Sequence, residues 1–236
     1  MHNVVLYPGA TPDISPLETL MIGPDGTIRP ISFQEYSRFD KRQWVQFCKT
    51  YGIYQIVTEE LLHFLSPFLT DRTIEICAGL GTLGRSLGIP LTDRRLQEDH
   101  KVQVYYQTID QPTIKYPPDV EKLTAHQALV KYQPDTVIAA WASHKDKKTD
   151  PKMGSATRGN PYGVEFEKII DSVETFIHIG NYAHHGKNPA LKRRHVTFRA
   201  EWLVSRASLD EDNTIYIWSK KKSLPLPPGS SLAGLK

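Results

Sequence analysis

Apolar positions along the chain recur with two different periods. Between residues 32 and 70 they lie three and four apart, the spacing of helix faces. Trp44, Phe47, Cys48 and Tyr51 fall on one such face, and Leu61, Leu62, Leu65, Phe68 and Leu69 on another. Ser32 with Glu35 has the spacing of a capping box, Asp40 stands where a second helix begins, and Gly52 where it ends. A third helix follows Thr58. The aromatic residues on these faces read as core packing. From residue 73 short apolar runs alternate with helical stretches, which predicts a mostly parallel α/β sheet. The expected strands cover 73–77, 89–92, 120–123, 136–141 and 175–179. The expected helices start at Thr82 and cover 125–132 and 164–173. Two further strands, 198–205 and 214–219, flank Asp210-Glu211-Asp212-Asn213 and form an antiparallel hairpin. Before all this, residues 1–31 carry turn signals at Pro8-Gly9, Gly23-Pro24 and Asp25-Gly26, so an irregular arm or a small hairpin about 20–28 is expected.

The pattern divides the chain into an N-terminal arm and helical cap (1–70), an α/β domain (71–219) and a mobile basic, Pro-rich tail (220–236). Composition narrows the class. With 236 residues, 39% hydrophobic and 23% charged, the chain is expected to be an ordinary globular protein, not a disordered, collagenous or disulfide-stapled one. The net charge of +3 gives no argument for nucleic acid by itself. Cys48 and Cys77 read as reduced thiols of a cytoplasmic protein. The opening Met-His-Asn-Val-Val-Leu-Tyr-Pro lacks the features of a signal peptide, and no apolar run approaches the ~18 residues of a membrane span.

The strongest chemical signal runs from Thr73 to Gly84: Thr-Ile-Glu75-Ile-Cys77-Ala78-Gly79-Leu-Gly81-Thr-Leu-Gly84. It is a strand, a glycine-rich turn and a helix start. Glycine lets the backbone take positive φ and approach a ligand closely. The N–H groups at the turn can hold a polar or anionic group. Asp93, 18 residues after Glu75, stands at the end of the next strand, where an acid commonly binds a ribose diol. The Gly-x-Gly-x-x-Gly spacing also fits a dinucleotide fingerprint, but about nine residues separate Gly79 from the next strand, short for the usual dinucleotide helix.

The acid-x-x-x-Gly-x-Gly pattern of Glu75, Gly79 and Gly81, followed by Asp93, resembles the class I S-adenosylmethionine-dependent methyltransferases. The resemblance covers roughly residues 50–219. It implies a Rossmann-like, doubly wound, mostly parallel sheet that ends in an antiparallel hairpin, beneath an N-terminal helical cap. It implies S-adenosylmethionine as cofactor. Glu75, Gly79 and Gly81 would then hold the methionine end, Asp93 would hold the ribose, and Ala78 and Gly84 would also line the cofactor site. Thr124 stands where the family often carries an adenine-side acid, and Tyr54 and Thr58 lie in the segment that closes over the cofactor. The whole chain also resembles an uncharacterised phage and bacterial group, which implies no activity.

Acceptor chemistry is expected at the ends of the fourth and fifth strands. Trp141 and His144 are the catalytic candidates, His144 as a general base with an ordinary pKa near ~6.5. Ser143, Asn181 and His184 are the substrate-contact candidates. The segment after the fourth strand lacks the Pro-Pro-aromatic sequence of amino-methylating nucleic-acid enzymes, and neither cysteine follows a proline as a C5 enzyme requires. A small-molecule or protein acceptor is therefore favoured. Lys192-Arg193-Arg194-His195 and the lysines of 145–152 leave nucleic acid open. His144, His184 and His185 with no cysteine beside them make a poor metal set, so no metal is expected. The expected function is methyl transfer. The alternatives are a methyltransferase-like binding or host-interaction protein without activity, and an enzyme that cleaves a nucleoside cofactor.

Overall fold

The computed structural model describes residues 11–108, 111–146, 159, 162–207, 209–225 and 231–233. The turn expected at Pro8-Gly9 lies outside them, as do Lys147, Lys148 and Lys152 of the lysine-rich stretch 145–152. The elements in chain order are α1 (Ser15–Met21), α2 (Phe33–Tyr36), α3 (Lys41–Tyr51), α4 (Glu59–Leu65), β1 (Thr73–Ile76), α5 (Thr82–Leu87), β2 (Leu91–Asp93), α6 (His100–Thr108), β3 (Glu121–Lys122), α7 (Ala125–Tyr132), β4 (Thr136–Ala140), α8 (Phe166–Ser172), β5 (Thr175–Asn181), α9 (Tyr182–His185), β6 (His195–Phe198), β7 (Asn213–Ser219) and β8 (Ser231–Ala233). They build an α/β protein around one mixed sheet of order β3-β2-β1-β4-β5-β7-β6-β8. The first five strands in that order are parallel, and β7, β6 and β8 each run antiparallel to the neighbour before.

Period-two alternation sorts side chains to the two faces of the sheet. Ile138, Ile177, Ile179, Ile215 and Ile217 point to one face, where Leu61 and Leu65 of α4 and Leu83 of α5 cover them. Ile74, Ile76, Val137, Phe176 and Trp218 point to the other, under Ala128 of α7 and Phe166 and Ile169 of α8. Each such side chain contributes about 1.5–3 kcal/mol by leaving water. The cap has its own cluster of Leu17, Met21, Trp44, Phe47 and Ile56, and Val204 joins it from the β6–β7 connection.

Local chemistry explains the helix ends. Ser32 and Glu35 satisfy each other's backbone N–H groups, as do Asp40 and Gln43. Gly52 closes α3 at φ 69°, and the Thr58 hydroxyl accepts from Leu61 N at the head of α4.

Several boundaries differ from expectation. The arm contains α1, with Pro16 at its start, before the Ile22–Ile28 bridge. The strand expected over 198–205 runs instead over His195–Phe198, because Val196 and Phe198 alternate into the core. Trp202, Leu203 and Val204 are apolar for another reason: their segment crosses to the cap, where Ser205 bridges Gln55. Within the expected tail, Ser231–Ala233 pairs with β6.

Candidate functional site

The parallel strands all deliver their C-terminal ends to one edge of the sheet. The order reverses between β1 and β4, with β2 and β3 leading away on one side and β5 on the other. Open α/β sheets bind ligands at such a reversal, outside the carboxyl ends. Backbone strain collects at the same edge. Four non-glycine residues have positive φ among the described residues, and three of them follow strands here: Cys77 (56°) after β1, Arg95 (56°) past β2 and Trp141 (54°) after β4. A left-handed residue of this kind costs about 1–2 kcal/mol. The fourth, Gln133, closes α7.

The β1 half of the edge is built around the glycine turn. Gly79 and Gly81 are left-handed, at φ 55° and 72°. A Cβ on Gly81 would sit 2.9 Å from Leu91 and 3.0 Å from Val120, so no larger residue fits. A Cβ on Gly79 would meet Ile114 at 3.7 Å, and the backbone there is open to close approach. Ala78 N donates to the Thr92 carbonyl and ties the turn to β2. Asp93 holds both arms of the site. One carboxylate oxygen accepts from Gly79 N at 3.0 Å, the other from Arg95 N at 2.6 Å, and the Tyr116 hydroxyl also bonds to it. Burial raises its pKa against the pull of those donors.

Glu75 sits deeper. It is 2% exposed, and its carboxylate accepts from Gly84 N at 2.8 Å, on the first turn of α5. It therefore anchors that helix under the turn, and its placement shapes the turn rather than lining its open side. Burial pushes this carboxyl up to about 8, opposed by the Gly84 N–H and reinforced by the negative Asp93. A carboxyl raised on folding adds stability below its ordinary value of 4.5 and loses it as pH climbs through about 8. Glu75→Gln keeps an oxygen for Gly84 N without that titration. The melting temperature of the parent protein is expected to fall relative to Glu75→Gln from pH 5 to 8.5. Parallel curves in a pH series of thermal melts would contradict this.

The β4–β5 half is aromatic and basic. Trp141 lies 5.7 Å from Tyr54, 5.4 Å from His184 and 5.4 Å from His185 between ring centroids. Its indole N–H donates to Gln55 Oε1 at 3.2 Å. The Arg206 guanidinium lies over the Tyr54 ring, 3.9 Å from its centroid. Beneath, His178 is fully buried and His185 nearly so; burial drives the first well below the ordinary imidazole range and the second down to about 4. Both are neutral near pH 7.

His144 is 6% exposed, covered by backbone at Gly159 and Gly163, and it bridges Val164. Ser143 is half-buried and accepts from Val164 N through its carbonyl. Asn181 is buried, and its amide bonds Leu209 O, Asn213 and Ala183 N, so it braces the β5–α9 corner. Thr58 is likewise occupied, between Leu61 N and Trp202 O. Thr124 caps α7 with Gln127 at the end of β3. Tyr54, Trp141 and His184 thus come together, as do Gly79, Gly81 and Asp93. Thr58, Thr124 and Asn181 serve their helix starts. Lys192, Arg193 and Arg194 lie toward the opposite edge, since Val196 stands level with Ile177 and Ile217, and Arg193 pairs with Asp171.

Ile114, Tyr116, Gln55 and Arg206 join the site without having been expected. A lone Arg and Gln carry no local signal; what brings them in is the Gln55–Ser205 bridge, 150 residues apart in sequence. Among the described residues no group of three His, Cys, Asp or Glu side chains could hold a metal ion, and no helix is long and apolar enough to cross a membrane. Compared with protein-family models, curated proteins and solved structures, the chain matches none.

Proposed function

We propose that the chain is an S-adenosylmethionine-dependent methyltransferase with a doubly wound, Rossmann-like core, and that its cofactor lies on the glycine turn after β1. The observation that carries this reading is the juxtaposition of Gly79, Gly81 and Asp93 at the reversal of strand order. The antiparallel β6–β7 pair beyond β5 also agrees with the family resemblance. The residues present fit the group. The open backbone at Gly79 permits close approach, Asp93 supplies a carboxylate for a diol, and Ile114 and Tyr116 pack apolar surface beside the turn.

When bound, the sulfonium cofactor supplies an electrophilic methyl group. The chain's own residues bind, orient and exclude water. Asp93 and the N–H groups of the turn hold the nucleoside side. Glu75 keeps α5, and so the turn, in place. Trp141 and Tyr54 wall the acceptor side and orient the acceptor there.

A second reading has one observation in its favour. Both Asp93 oxygens already accept from backbone N–H groups, which suits a methyltransferase-like fold kept as a binding protein. Incubation with methyl-labelled cofactor and a panel of small-molecule, peptide and nucleic-acid acceptors separates the readings. Label in an acceptor fraction is the expected result. Binding without turnover would favour the second reading, and cofactor breakdown without any acceptor would favour a cleaving enzyme.

A further inference from the structure

We infer that the wall of Tyr54, Trp141, His184 and Arg206 binds a planar aromatic anion, its ring against Trp141 and its carboxylate or phosphate on the Arg206 guanidinium.

The argument starts from Arg206. Arg72, Arg85, Arg95 and Arg193 each meet a carboxylate. Arg206 is half-buried, and its guanidinium carbon lies over the Tyr54 ring, 3.9 Å from the centroid; among the described residues no carboxylate pairs with it. A partly desolvated cation without a counter-ion is costly, and a planar guanidinium stacked on a ring keeps its N–H edge aimed outward, where it can grip an anion with two hydrogen bonds. Its backbone N–H is fixed to Tyr54 O at 3.0 Å, so the pair moves as a unit.

The rings supply the other half of the recognition. Tyr54 and His184 flank Trp141 at interplanar angles of 37° and 49°. Rings splayed in this way are not stacked face to face, unlike the core pair Phe176 and Trp218 at 18°, and His185 meets Trp141 edge-on at 81°. All three are half-buried, not sealed in the core. The hydrogen bond to Gln55 fixes the indole plane. Trp141 also keeps a positive φ that a bulky residue adopts at a cost, and such strain gathers at ligand clamps. The wall stands at the carboxyl ends of β4 and β5. The register that sets Glu75 beside Ile138 brings Trp141 to the same edge as the glycine turn. As the methyl acceptor this ligand rests on the transferase reading above; as a bound ligand it does not.

The test is a fluorescence and calorimetric titration of the full chain with uridine 5′-monophosphate and with 4-hydroxybenzoate, each against its neutral counterpart, uridine and 4-hydroxybenzamide. At least one anion is expected to bind, quench tryptophan emission and exceed its neutral counterpart about tenfold in affinity, the worth of one charge-assisted contact. Which anion binds decides between a phosphate and a carboxylate. Arg206→Ala is expected to reduce the anion to the level of the neutral compound with the melting temperature little changed. The comparison of charged and neutral ligands on the unmodified protein stands even if that variant fails to fold. Binding of neither anion, or equal binding of anion and neutral compound, overturns the inference. Titration with S-adenosylhomocysteine reads the cofactor site separately. Its binding without either anion overturns this inference and leaves the transferase reading; the converse does the reverse.

Discussion

Gly84→Ala is expected to lower the melting temperature by about 10 °C or to prevent folding, the cost being about 3 kcal/mol or more at roughly 2–4 °C per kcal/mol in a chain of this size. A Cβ at this position would stand 2.3 Å from Leu91 Cδ2, 2.6 Å from Glu75 Oε2 and 3.2 Å from Glu75 Cβ. None of these neighbours can give way cheaply. Leu91 and Glu75 belong to adjacent parallel strands in register with each other, and both are buried. Moving the Glu75 carboxylate would strip it of the Gly84 N–H and leave a buried acid without its partner. Gly88→Ala is the matching control. Unlike the helical Gly84, Gly88 is left-handed, at φ 68°, and nothing lies within 4 Å of its Cβ position. Its substitution should cost about 1 kcal/mol, the conformational penalty alone. Thermal melts of the two variants should differ severalfold in their shifts; equal shifts would contradict the packing argument.

Asp93→Ala is expected to weaken cofactor binding about 100-fold, near 2.7 kcal/mol. The carboxylate does two jobs in the proposed site. It fixes Gly79 and Arg95 through their N–H groups, and in the proposed reading it also accepts from a ribose hydroxyl. Alanine removes both, and hydrogen bonds to a charged acceptor are each worth about 1.5–3 kcal/mol. Asp93→Asn separates the roles. It keeps an oxygen for one N–H and so holds the turn better, yet loses the charge that a diol prefers. An affinity for Asn between those of the parent and Ala is the expected order. Unchanged affinity in all three would remove Asp93 from the site.

Much of this was legible in the residues because the signals were local. Ser32 with Glu35, Asp40, Gly52 and Thr58 each marked a helix end that the structure uses. The short apolar runs of β1, β4, β5 and β7 were readable because both faces of those strands are buried. The glycine turn and Asp93 could be placed together because a short connection leaves Asp93 within reach of Gly79.

Other elements were masked. The basic run Lys192–Arg194 hid the start of β6, and the apolar Trp202–Val204 imitated a strand although it packs toward the cap. α6 lacks a strong apolar stripe, and the four residues of α9 are too few to show a period. The left-handed backbone of Trp141 leaves no trace in residue type. Glu75 was recognised as an acid of the motif, but its direction, inward to Gly84, follows from helix packing that no spacing encodes. Arg206 reaches Tyr54 across the whole domain, a contact that exists once the cap folds back on the β6–β7 connection.

The central claim is that the turn after β1 binds S-adenosylmethionine. Titration calorimetry of the full chain with the cofactor and with its demethylated product tests it most directly. Micromolar binding of both ligands at one site per chain is the expected result, abolished by Gly79→Arg, whose side chain would fill the approach to a turn already at φ 55°. Absence of binding by either ligand to a folded protein would contradict the assignment.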